Sequence, residues 1–157
     1  MSKPTVGKKA PDFELPATGD QRVKLSKLKG KNVVLYFYPK DNTSGCTLEG
    51  QDFRDDYAKF RRRDTLIFGI SRDSLKSHEN FRTKQKFPFD LLSDADEIAC
   101  KLYDVIKEKN MYGRKVLGIE RSTFLIDTKG VLVREWRKVS VKGHVAEILD
   151  AVKTLDK

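Results

Sequence analysis

"NVVLYFY" occupies residues 32–38 and runs directly into "PKDNTSGCT" (39–47). The first segment is apolar without alternation, as expected of a β-strand covered on both faces. It therefore reads as a central strand of an α/β sheet. Pro39 ends the strand, because proline has no N–H to donate to a ladder. From Cys46 to about Arg62 the period changes. Phe53, Tyr57 and Phe60 fall at i, i+4 and i+7 with Asp, Arg and Lys between them, which predicts an amphipathic helix. The stretch is strand, short loop and helix, with Cys46 on the first helical turn, roughly on the inward stripe.

Outward from this stretch the pattern repeats. "FEL" (13–15) and "VKL" (23–25) flank "ATGDQ" and predict a small N-terminal hairpin. "TLIFGIS" (65–71) reads as a second buried strand, and Asp73 or Ser74 can cap a helix over "LKSHENFRTKQ" (75–85). "FDLLSD" (89–94) is a third short strand. A helix is expected around "DEIACKLYDV" (96–105), with Ala95, Ile98, Ala99, Leu102 and Val105 as its stripe. A loop rich in Gly, Arg and Lys follows over 107–118. "STFLIDT" (122–128) and "VLVREWR" (131–137) then flank Lys129–Gly130 as a β-hairpin, with Gly130 supplying the unusual backbone angle. A last helix from about Gly143 carries Val145, Ile148, Leu149, Val152 and Leu155. This order predicts a three-layer α/β domain, one unit over 1–157 with no linker.

The formal net charge of +9 raises the question of a nucleic-acid partner. The basic residues are interleaved with acids, as in "DDYAKFRRRD" (55–64), so the reading is a solvated basic exterior and no nucleic-acid partner. No run approaches the roughly 18 apolar residues of a membrane span, and "MSKPTVGKKAPDF" lacks the apolar core of a secretion signal. No membrane association and a cytoplasmic location are the expectations. Cys46 and Cys100, with only His78 and His144 beside them, make neither a disulfide scaffold nor a metal site of standard spacing.

Chemistry in open α/β sheets gathers beyond the carboxyl ends of the strands, where Cys46 lies. A helix start offers unpaired N–H groups and partial positive charge, and both favour thiolate over thiol. Pro39 can stiffen the loop and shield the sulfur, while Gly45 allows close approach. Thr43 and Ser44 offer hydroxyls to the sulfur or to an incoming oxygen; the alternative for one of them is a plain helix N-cap. If the 122–127 strand lies antiparallel beside 33–38, Arg121 reaches the same edge as Cys46. The alternative is a surface arginine opening a strand. Glu49, one turn after Cys46, could orient that guanidinium or be an exposed helix acid. His78 is expected to be an exposed helix residue, His144 to begin the last helix, and Trp136 and Tyr38 to be core or pocket wall. Tyr112 is a weaker candidate for touching substrate.

"YPKDNTSGCT" (38–47) contains P-x-x-x-T-x-x-C, and the sequence resembles the peroxiredoxins at this signature. "MYGRKVLGIERSTFLID" (111–127) is similar to the corresponding stretch of the PrxQ group, the bacterioferritin comigratory proteins. "PDFELP", "SRDSLKSHENF" and "WRKVSVKGH" extend the resemblance along nearly the whole chain. It implies a thioredoxin-like α/β/α fold with a central mixed sheet. It implies reduction of hydrogen peroxide and organic hydroperoxides by a peroxidatic cysteine, Cys46, with Pro39, Thr43 and Arg121 completing the site and Glu49 supporting it. Neither a metal nor a cofactor is called for. Many relatives carry a resolving cysteine at the position of Gln51 or at that of Arg82. Without one, the expected cycle uses one cysteine: the Cys46 sulfenic acid is reduced by an external thiol such as thioredoxin, a glutaredoxin or glutathione. A monomer is expected. The alternatives are a two-cysteine cycle using Cys100, a thiol-based redox sensor, and a basic interaction protein without catalysis.

Overall fold

Asn32–Phe37 form the central strand, with every one of its six side chains buried. Its alternation becomes visible only in three dimensions. Val33, Leu35 and Phe37 enter one apolar cluster with Phe68, Ile70, Leu92 and Phe124. Val34, Tyr36 and Tyr38 enter a second, with Phe53, Phe60, Phe81 and Ile148. A strand with cores on both sides needs no polar face, which is why its sequence does not alternate.

The computed structural model describes residues 4–155. In chain order the strands are β1 (Glu14–Ala17), β2 (Gln21–Lys24), β3 (Asn32–Phe37), β4 (Thr65–Ser71), β5 (Asp90–Ser93), β6 (Ile106–Met111), β7 (Arg114–Ile119), β8 (Ser122–Ile126) and β9 (Leu132–Trp136). The helices are α1 (Ser44–Arg61), α2 (Leu75–Gln85), α3 (Ile98–Leu102) and α4 (His144–Lys153), with a short 3-10 turn at Leu25–Leu28. Among the described residues, one mixed sheet runs β2-β1-β5-β4-β3-β8-β9. β3, β4 and β5 are parallel, while β8 lies antiparallel to β3 with Phe37 opposite Ser122. α1, α2 and α4 bury residues in the cluster that holds Tyr36, and α3 does so in the one that holds Phe37. No described helix is long and apolar enough to cross a membrane.

Two expected elements differ. The 107–118 stretch is not a loop but the β6–β7 hairpin, a separate two-stranded sheet. Its turn residues Tyr112 and Gly113 both have positive φ, the backbone that a two-residue hairpin turn requires, and its mostly polar composition reflects exposure. The helix expected over 96–105 shrinks to Ile98–Leu102. Glu97 and Asp104 both adopt left-handed backbone and bound it. The Asp94 carboxylate accepts from the N–H groups of Ile98 (2.8 Å) and Cys100 (2.7 Å), which fixes where the helix starts. The inward residues are therefore Ala99, Cys100, Tyr103 and Val105, with Leu102 partly buried, whereas Ala95 and Ile98 are exposed.

Candidate active site

α1 buries Cys46, Glu49, Gly50, Phe53 and Phe60 on one stripe, so packing of the aromatic pair also turns the thiol and Glu49 inward. Cys46 is 2% exposed and Glu49 is wholly buried, not the exposed helix acid that was its alternative. Thr43 occupies the N-cap position, yet its hydroxyl makes no cap bond. It donates instead to the Lys40 carbonyl at 2.8 Å, leaving its lone pairs as acceptors. Pro39 opens this loop and is partly buried.

The antiparallel pairing of β8 with β3 brings Arg121 level with the carboxyl end of β3. Its carbonyl accepts from Val139 N–H at 3.0 Å, and its guanidinium reaches α1. Nη1 donates to Glu49 Oε1 at 2.6 Å, and Nη2 donates to Cys46 Sγ at 3.3 Å. A Cβ at Gly45 would stand 3.1 Å from Nη2, so the bare backbone there is what lets the guanidinium lie so close. Burial pushes the Glu49 carboxyl up to about 7, and Arg121 offsets part of that rise. Glu49 Oε2 and Tyr36 Oη have no hydrogen-bond partner among the described residues.

Sequence reasoning missed three neighbours. His144 is buried, bonds Thr123 Oγ1 through Nε2 at 2.8 Å, and is pushed down to about 4 by burial and then by the Arg121 charge. Lys109 donates to the Ile119 carbonyl; its ammonium is pushed down by burial and by Arg121, and held up by Cys46. Only the hairpin register, invisible while 107–118 read as a loop, brings Lys109 towards the site. His78 is fully buried, not exposed, and bonds Asp41 beneath the 39–43 loop. Tyr112, by contrast, stands fully exposed at the hairpin turn. Trp136 is half-buried, with Arg134 over its ring at 4.9 Å and His144 edge-on at 5.8 Å.

Cys100 is completely buried, in the cluster that holds Phe37, whereas Cys46 lies in the one that holds Tyr36. The two thiols are on opposite faces of the sheet. Burial, with the Asp94 charge adding to it, pushes the Cys100 thiol far above its ordinary range. At the positions where many relatives carry a second cysteine, Gln51 donates to Gln85 Oε1 at 2.9 Å and Arg82 donates to the Phe89 carbonyl at 2.9 Å.

A cysteine, an arginine and a buried acid joined in this way are a fitting electrophile trap, and the sequence pattern of the AhpC/TSA family matches residues 6–135. The chain belongs to the AhpC/TSA family. It is 51% identical to peroxiredoxin Bcp of Bacillus subtilis over 150 residues, 96% of each chain. It is 52% identical to peroxiredoxin Bcp of Xanthomonas campestris over 142 residues, 90% of this chain and 89% of that one. A mutant structure of PrxQ from Xylella fastidiosa superposes with a TM-score of 0.93 at 43% identity, covering 100% of both chains. A structure of Xanthomonas campestris peroxiredoxin Q gives 0.88 at 51% identity, with 92% of each covered. The mixed sheet flanked by helices is the thioredoxin-like peroxiredoxin fold. This AhpC/TSA protein is a peroxiredoxin of the PrxQ group, a thiol peroxidase whose family implies a peroxide substrate and a thiol reductant.

Proposed function

We propose that the chain is a one-cysteine peroxidase of hydrogen peroxide and organic hydroperoxides, with Cys46 as the reacting sulfur and an external thiol as reductant. The observation that carries the one-cysteine reading is the separation of Cys46 and Cys100 by the sheet. A disulfide between them would require β3 or its neighbours to leave the fold. For organic substrates, the supporting likeness is to a Xanthomonas campestris bacterioferritin comigratory protein, 48% identical with a TM-score of 0.91, whose structures concern alkyl peroxide reduction.

In this reading the Cys46 thiolate attacks the terminal peroxide oxygen in line with the O–O bond. The S–O bond forms as the O–O bond breaks, and the electron pair leaves with the hydroxide or alkoxide, which then takes a proton. Arg121 Nη2, already 3.3 Å from the sulfur, stabilises the charge that moves from sulfur to leaving oxygen. Glu49 fixes the other arm of the guanidinium. Thr43 has committed its proton to Lys40, so its oxygen accepts the proton of the bound hydroperoxide. Pro39 screens the sulfur from water. The sulfenic acid at Cys46 then reacts with an external thiol, releasing water and forming a mixed disulfide, and a second thiol restores Cys46. Thioredoxin, a glutaredoxin and glutathione are the candidate reductants, and a monomeric, cytoplasmic, single-domain enzyme over 1–157 is the matching organisation.

Peroxide consumption tests the reading, with each reductant supplied separately to wild type, Cys46→Ser and Cys100→Ser. Loss in Cys46→Ser alone supports the one-cysteine cycle. Equal loss in both variants, or a stoichiometric Cys46–Cys100 disulfide by intact mass, overturns it. Oxidation of Cys46 without sustained consumption by any of the three reductants would favour a sensor instead.

A further inference from the structure

Beneath the loop that leads into α1 lies a polar knot that the reaction itself does not use. His78 is fully buried, and its Nε2 lies 2.9 Å from the Leu92 carbonyl oxygen, which can only accept. Its Nδ1 lies 2.8 Å from Asp41 Oδ2, a carboxylate oxygen. A neutral imidazole has one N–H. With the proton on Nδ1, bare Nε2 faces the Leu92 carbonyl; with it on Nε2, bare Nδ1 faces the Asp41 carboxylate. The Tyr38 hydroxyl, 3.5 Å from Nδ1, already gives its one proton to Asp41 Oδ1. Turning the ring over presents carbon to both partners and is worse. One additional proton satisfies both contacts, placed either on Nδ1 or on the carboxyl.

The knot joins the end of β3, β4, β5 and α2. Tyr38 Oη at the end of β3 donates to Asp41 Oδ1 at 2.7 Å, and Ser77 Oγ of α2 donates to Asp41 Oδ2 at 2.8 Å. Asp41 N–H donates to Asp73 Oδ2 at 2.9 Å, which also accepts from Ser71 Oγ at 2.6 Å. Ser93 Oγ of β5 in turn donates to the Asp73 carbonyl at 2.7 Å. Asp41 is flanked by Lys40, whose carbonyl holds the Thr43 hydroxyl, and by Asn42 in left-handed backbone. A shift of Asp41 therefore moves the groups that frame Cys46. Asp41, Asp73 and His78 are close enough together to suggest a cation site, but protein donors and acceptors already occupy the Asp41 oxygens and both His78 nitrogens.

We propose that Asp41 and His78 share one buried proton, and that this proton clasps the 39–43 loop to α2 and β5, making both residues positioning residues for the chemistry at Cys46. Loss of the proton leaves two carboxylates, Asp41 and Asp73, beside a neutral ring and the Tyr38 hydroxyl. Like charges in low dielectric then push the loop away. Closure of the active-site loop is thus linked to proton occupancy of a pair that touches neither sulfur nor substrate. The idea rests on Cys46 as the reacting thiol only for its kinetic readout.

The decisive measurement is nitrogen NMR of histidine-labelled wild type across a pH series, alongside the rate of Cys46 oxidation by hydrogen peroxide. His78 is expected to hold protons at both ring nitrogens, or one ring proton plus one bridging to Asp41, at neutral pH. On the alkaline side, loss of that proton should coincide with a fall of about tenfold in the oxidation rate. In Asp41→Asn the carboxamide N–H can donate to a bare Nδ1, so the alkaline fall should vanish. Asp41→Ala, which cuts the clasp, should react about tenfold more slowly at neutral pH. A singly protonated, unbridged His78 in wild type overturns the proposal, as does an alkaline fall that persists in Asp41→Asn. The NMR result stands whatever the identity of the reacting thiol.

Discussion

The Arg121 guanidinium spans one turn of α1, donating from Nη1 to Glu49 Oε1 at 2.6 Å and from Nη2 to Cys46 Sγ at 3.3 Å. A planar fork holds its two donors in fixed directions toward acceptors three residues apart on a helix; a flexible ammonium does not hold them there. Arg121→Lys keeps the charge and loses the fork. Its second-order rate with hydrogen peroxide, measured by stopped flow, should drop by about 100-fold, the scale of losing one oriented donor. A drop below about threefold would remove the fork from the mechanism.

Two glycines on α1 separate chemistry from stability. A Cβ at Gly45 would lie 3.1 Å from Arg121 Nη2, whereas one at Gly50 would lie 2.4 Å from Phe87 Cζ and 2.9 Å from Cε1. Gly45→Ala should slow peroxide reduction by roughly tenfold, because the guanidinium must retreat from the sulfur, and should barely move the urea midpoint. Gly50→Ala should cost about 1–3 kcal/mol of stability by overpacking against the buried ring. Kinetics and unfolding of both variants check the pair, and the same pattern in both would refute it.

Thr43 supplies a third expectation. Thr43→Val removes both the bond to the Lys40 carbonyl and the acceptor proposed for peroxide, and should lower the rate on the order of 10²-fold. Thr43→Ser should recover most of it. Failure of serine to rescue would mean that the methyl, not the oxygen, matters.

Buried Glu49 and His144 bias stability in opposite senses. The Glu49 carboxyl is raised from 4.5 to about 7, so it binds a proton more readily folded than unfolded. Its contribution, about 3 kcal/mol, is present below about pH 4.5 and disappears as pH rises through about 7. His144 is lowered from 6.5 to about 4, so its contribution is present above pH 6.5 and is lost as pH falls through about 4. Between these limits the two slopes oppose each other. Glu49→Gln should make stability rise more steeply with pH, and His144→Gln should make it fall. Urea unfolding at a series of pH values tests this, and parallel curves for all three proteins would contradict it.

Much of the site was legible from residues alone because strand geometry is strict. The apolar run at 33–38 demanded two covered faces, and an antiparallel neighbour beginning at Ser122 had to bring Arg121 to the Cys46 edge. What escaped depends on partners distant in sequence. His78 sits between polar residues and reads as solvent-facing, yet Asp41, 37 residues earlier, and the Leu92 carbonyl satisfy it in the interior. Cys100 falls outside the stripe of Ala95, Ile98, Ala99, Leu102 and Val105 that a ten-residue helix would bury, but Asp94 moves the helix start and the thiol lies in the core. The β6–β7 strands carry charges on both faces, so their pairing left no hydrophobic alternation to read.

The pairing of β3 with both β4 and β8 also sets an order of assembly. β3, α1 and β4 are neighbours along the chain and can associate before β8 has been made. Arg121 meets Cys46 across 75 residues, and β8 is made only after β4, β5 and the β6–β7 hairpin. Until then Cys46 lacks its guanidinium partner, so the newborn polypeptide carries the thiol unpaired with Arg121 until β8 joins the sheet.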